Sequence, residues 1–93
     1  MHIPKSVKIG GMDYDVVYNT KLCNKHGAVG LFQHEEKRIV LKYKMKKEVK
    51  EQVFLHELLH AIDLIYDSDE LSEDQIERMS QGIYQVFKDN NIF

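Results

Sequence analysis

Val53-Phe54-Leu55-His56-Glu57-Leu58-Leu59-His60-Ala61-Ile62 sets two imidazoles and one carboxylate inside an otherwise apolar run. Residues four apart share one face of an α-helix, with Cβ atoms about 5–6 Å apart, so His56 and His60 can reach one cation at about 2.0–2.1 Å. Glu57 follows the first histidine and is a neighbour on that face, near such a cation without having to bind it. That placement suits a group that takes a proton from a metal-activated water. The spacing is HExxH, and its flanks strengthen it. Polar groups amid Val-Phe-Leu and Leu-Leu-Ala-Ile are costly to bury unless something pairs with them, and a metal ion supplies that partner. The stretch therefore predicts a helix carrying one zinc ion on His56 and His60, with Glu57 as general base.

Outward from this stretch the helical period runs from about Lys46 to about Tyr66, with Val49, Val53, Phe54, Leu58, Ala61, Ile62 and Ile65 forming more than one apolar stripe. A helix this apolar packs on a sheet on one side and on another helix elsewhere. Asp67-Ser68-Asp69-Glu70 ends it. Ser72, with Gln75 three residues on and acidic residues in the first turn, marks the start of a second helix. Ile76, Met79, Ile83, Val86 and Phe87 give that helix its stripe, and Lys88-Asp89-Asn90-Asn91 stops it. The tail Ile92-Phe93 either folds back on the core or frays.

Upstream the period is two. Val7 and Ile9, a Gly10-Gly11 turn, and Met12 to Tyr18 read as one hairpin. Asn19 to Val29 has no sustained period and reads as a connecting loop. Gly30 to Gln33 and Arg38 to Tyr43 read as a second hairpin around His34-Glu35-Glu36-Lys37, with His34 a solvated turn residue. The fold class expected is α+β: a small antiparallel sheet of four strands followed by two packed helices, the first bearing HExxH.

Composition bounds the rest. The 93 residues, 43% hydrophobic and 30% charged, suit a single domain over 1–93 with a modest core. A formal net charge of -2 makes no case for nucleic acid or an anionic membrane. Lys42, Lys44, Lys46, Lys47 and Lys50 form a local basic run, but Glu48 and Glu51 interrupt it and no aromatic platform joins it beyond Tyr43. It reads as edge-strand and first-turn lysines that keep a sheet soluble. No segment is long and apolar enough to cross a bilayer, and Met1-His2-Ile3-Pro4-Lys5 lacks a signal peptide's apolar core, so a cytoplasmic protein without a membrane partner is expected. The single cysteine, Cys23, rules out an internal disulfide. Its Cys-x-x-His spacing to His26 reads as a buried thiol beside a turn residue, not as a second metal site.

A catalytic zinc normally takes three protein ligands. Tyr66 stands where the longer HExxHxxGxxH pattern has its third histidine and Asp63 where it has glycine, which disfavours that class. Asp63 itself reads as a supporting or solvated group. Glu73 sits in the first turn of the last helix, where capping and the helix dipole already explain it. Glu77, inside the helix beside Ile76 and small Ser80, is the choice for third ligand. An oxyanion donor is expected as well, with Tyr84 and His34 the residues considered and neither assigned.

At His56-Glu57-Leu58-Leu59-His60 and Glu77-Arg78-Met79-Ser80, with softer support from Ile3-Pro4…Val7-Lys8-Ile9-Gly10, the chain resembles the small phage and prophage members of the ImmA/IrrE-type zinc metallopeptidases, a minigluzincin-like group. The resemblance spans most of the chain. It implies His56, His60 and Glu77 as zinc ligands, Glu57 as base, and an extended peptide added at the sheet edge, at Arg38 to Tyr43. The activity expected is zinc-dependent hydrolysis of peptide bonds in a protein or peptide substrate. The alternative is a zinc-stabilised, non-catalytic binding module of phage origin. Related sites also accept manganese, iron or cobalt.

Overall fold

The structure, a computed structural model, describes residues 1–92. Its elements are β1 (Ser6–Ile9), β2 (Met12–Tyr18), α1 (Thr20–Lys25), β3 (Gly30–Gln33), β4 (Arg38–Leu41), α2 (Lys47–Asp67) and α3 (Glu73–Asp89). The α+β class is as expected. The sheet, however, is mixed. Its order is β1-β2-β4-β3, with both hairpins antiparallel and β2 parallel to β4. The chain leaves β2, crosses through α1, lays down β3 on the outside and returns on β4, so β4 arrives beside β2 in the same direction. Period-two patterning marks strands but not their partners.

This corrects the expected edge. Arg38–Leu41 is internal, bonded on both sides, and the edge strands are β1 and β3. Ile39, Val40 and Leu41 are all fully buried, the continuous apolar run of a strand covered on both faces. α2 covers one face, and α1 lies against β4. The loop expected at Asn19 to Val29 contains α1 because the Asn19 side chain caps it, accepting from Leu22 N–H at 3.0 Å, while Cys23 anchors it in the interior.

Val16, Ile39, Leu41 and Phe54 form the seam between the sheet and α2. Fully burying such a side chain contributes about 1.5–3 kcal/mol each, against about 0–1 kcal/mol for an exposed pair such as Arg78–Asp74. The seam therefore places α2, and surface charge does not. Gly10, at φ +59°, turns the first hairpin so close to α2 that a Cβ there would stand 2.6 Å from Ile65 Cγ2.

α2 ends at Ser68, in the left-handed region at φ 56°. Ser72 and Gln75 then form a full capping box, Ser72 N–H donating to Gln75 Oε1 at 2.8 Å and Gln75 N–H to Ser72 Oγ at 3.1 Å. Buried Asp63 reaches across this connection. Both its oxygens lie 3.2 Å from the Leu71 nitrogen, so it is not solvated but staples α3 to α2. Ile92 is exposed, its N–H bonded to Phe87 O, and Phe93 lies outside the described residues. Among the described residues no helix is long and apolar enough to cross a membrane.

Candidate metal centre

His56 and His60 project from one face of α2, ring centroids 4.9 Å apart. The staple at Asp63 and the capping box bring the start of α3 onto that face, and Glu73, its first residue, meets both rings. Glu73 Oε1 lies 2.7 Å from His56 Nε2 and Oε2 lies 3.0 Å from His60 Nε2. One donor atom from each of these three residues falls within 4.8 Å of the others. Among the described residues this is the one such cluster. Cys23 is buried and His26 exposed, with no third donor beside them.

Glu77, expected as third ligand, occupies a different place. Its Oε2 lies 2.7 Å from His56 Nδ1, the nitrogen facing away from Glu73, and its Oε1 accepts from Gln81 Nε2 at 2.8 Å. Glu77 therefore orients one imidazole, whereas Glu73 joins the Nε2 atoms of both. Sequence favoured Glu77 because a capping role already accounted for an acid at position 73. The capping work is in fact done by Ser72 and Gln75, which frees the Glu73 side chain.

Glu57 reaches toward β3 beside the same cluster, is 8% exposed and lines two cavities there with His56 and Glu73. Burial pushes its carboxyl up to about 7; the nearby charge of His56 lowers it, Glu73 and Glu77 raise it, and a backbone hydrogen bond from Phe32 lowers it. Glu57 approaches β3 this closely because residue 30 is glycine. A Cβ on Gly30 would stand 2.5 Å from Val53 Cγ1 and 3.1 Å from Glu57 Cγ.

The edge itself is open. Lys42 N–H donates to Val29 O, and Leu31 pairs with Val40, so the alternation of an antiparallel ladder turns the main-chain groups of Gly30 and Phe32 outward, toward Glu57. Two cavities meet there. One, of about 500 Å³, is lined by Val29, Val49 and Val53 beside His56, Glu73 and Glu77. The other, of about 420 Å³, is bounded by Phe32, His34, Glu57, His60, Leu64 and Glu73.

His34 is thus no solvated turn residue. It is half-buried, and its Nδ1 lies 3.0 Å from the hydroxyl of Tyr14. Tyr84, the other residue considered as an oxyanion donor, is buried elsewhere, donating to Glu51 Oε1 at 2.7 Å. Burial alone would push the Glu51 carboxyl up, but the Tyr84 hydroxyl and the Met1 ammonium, 3.2 Å from Oε2, hold it below its ordinary range. Comparisons with protein-family models, curated proteins and solved structures find no match for this chain.

Proposed function

We propose that this protein is a metal-dependent peptide hydrolase whose metal ligands are His56, His60 and Glu73 and whose general base is Glu57. The observation that carries it is the single Glu73 carboxylate meeting Nε2 of both histidines. Two imidazoles and a carboxylate are a donor set suited to zinc with a position left for chemistry. A zinc ion held there would supply Lewis acidity to a peptide carbonyl.

The chain's own groups do the rest. Glu57, at about 7, is poised between base and acid at neutral pH. It takes the proton of the attacking water and returns it to the departing amine. Phe32 N–H holds that carboxylate, and Glu77 holds His56 Nδ1 so that Nε2 faces Glu73. The outward main-chain groups of Gly30, with the carbonyl of Phe32, offer an extended peptide a strand to pair with. This edge, not β4, is where the substrate would lie.

The test is turnover of a mixture of quenched fluorogenic peptides by zinc-loaded wild type and Glu57→Gln. The variant should keep its zinc and lose about 10²–10⁴-fold in rate. Equal turnover by the two proteins would sink the proposal. A zinc-stabilised binding module has one observation in its favour, since the same three side chains tie α3 to α2. It requires a melting temperature that falls on zinc removal, with no turnover in the wild type.

A further inference from the structure

We propose that His34 is the hydrogen-bond donor that this site aims at the reacting peptide carbonyl, with Tyr14 as the residue that positions it. The inference rests on the peptidase reading above. Four observations support it.

First, His34 shares its cavity with Glu57, His60 and Glu73, although it comes from the turn after β3 and not from the helical hairpin. A peptide lying along the edge strand toward that turn would pass beneath it.

Second, the tautomer follows from what Tyr14 can do. The Tyr14 side chain is fully buried, and its hydroxyl has no partner but His34 Nδ1 among the described residues. If the hydroxyl accepted from Nδ1–H, its own proton would be stranded in a dry site, which is costly. It therefore donates to Nδ1, and an imidazole accepting there carries its proton on Nε2. Nε2 makes no hydrogen bond within the described residues and is free to donate.

Third, the residue is held. His34 O accepts from Lys37 Nζ at 3.0 Å and from Lys37 N–H at 3.1 Å, and the Tyr14 ring lies 5.7 Å from Phe32 and 6.2 Å from His34. A donor fixed before the substrate arrives spends no reorganisation on the developing charge, which is what makes such donors effective. Fourth, burial raises the Tyr14 hydroxyl above its ordinary value, so it stays a donor through neutral pH.

Two measurements on the zinc-loaded full chain decide the matter. Long-range ¹H–¹⁵N spectra of the His34 ring should show the proton on Nε2 in wild type and a mixture of tautomers in Tyr14→Phe. A wild-type ring protonated on Nδ1 overturns the proposal. On the fluorogenic peptide mixture, His34→Ala should lose on the order of 10²-fold in kcat with little change in KM. Tyr14→Phe should lose about tenfold, and His34→Gln, which keeps an N–H donor, should recover part of the loss. Turnover that depends on Glu57 but not on His34 overturns this inference and leaves the peptidase reading standing. No turnover by the wild type overturns both.

Discussion

Replacing Glu57 with glutamine should stabilise the metal-free protein above neutral pH. The folded carboxyl titrates at about 7, against an ordinary value of 4.5. A carboxyl raised on folding binds its proton more tightly in the native state, so its contribution to stability is present at low pH and is lost as pH rises through 7. The difference of about 2.5 units, at about 1.4 kcal/mol each, caps the penalty near 3 kcal/mol in alkaline solution. Glutamine has the same shape and no proton to lose. Glu57→Gln and wild type should therefore melt together near pH 4.5 and diverge across pH 5–8. The variant should end up higher by on the order of 10 °C, since about 1 kcal/mol moves a domain of this size by about 4–8 °C. The assay is thermal unfolding in EDTA at several pH values. Coincident melting at pH 8.5, or a less stable variant, would refute the burial argument on which the general base depends.

The two glutamates of α3 should separate cleanly. Glu73→Ala should abolish stoichiometric zinc by elemental mass spectrometry, whereas Glu77→Ala should weaken zinc about 10–100-fold while still binding it at excess metal. Gly30→Ala puts a methyl group into Val53 and Glu57 and should cost about 1–3 kcal/mol in urea unfolding, with turnover falling further than stability explains. Tyr84→Phe leaves the buried Glu51 carboxylate with one partner fewer and should cost about 1–3 kcal/mol at pH 7. Because the Glu51 carboxyl is held low in the folded state, that cost should shrink as the carboxyl is protonated in acid, which unfolding curves at pH 7 and pH 3 would show.

Much of the hairpin of helices was legible in the sequence. Both helices lie within about a residue of their expected bounds, and the Ser72–Gln75 capping box forms as read. These features are local, each written in residues a turn apart. The sheet was legible only as strands. Nothing in Met12 to Tyr18 or Arg38 to Leu41 says that the two run parallel, although the unbroken Ile39-Val40-Leu41 run carried the signal that β4 is internal. α1 has too few residues for a stripe, and its one clue was Asn19 as a cap. The choice between Glu73 and Glu77 turned on how far α3 slides along α2. That offset is set by Asp63 reaching Leu71 eight positions on, a contact between a helix interior and a loop that no period reveals. The burial of His34 is hidden from the sequence for a similar reason, since its partner Tyr14 stands twenty positions away on β2, a strand not adjacent to the β3 that His34 follows.

The donor cluster has a consequence for the order in which the molecule assembles. His56, His60 and Glu73 all belong to the α2–α3 hairpin, with His56 and Glu73 only 17 positions apart. Closing so short a loop costs little entropy, and contacts of this kind form early. The sheet, whose parallel pair joins strands on either side of α1 and β3, is the slower part. The hairpin can thus bring its three donors together while the sheet is still open. What it lacks at that stage is the strand that buries Glu57. Under the proposed function, metal capture and arming of the base would be separate events, and a nascent chain would carry its ion before it could cleave a peptide.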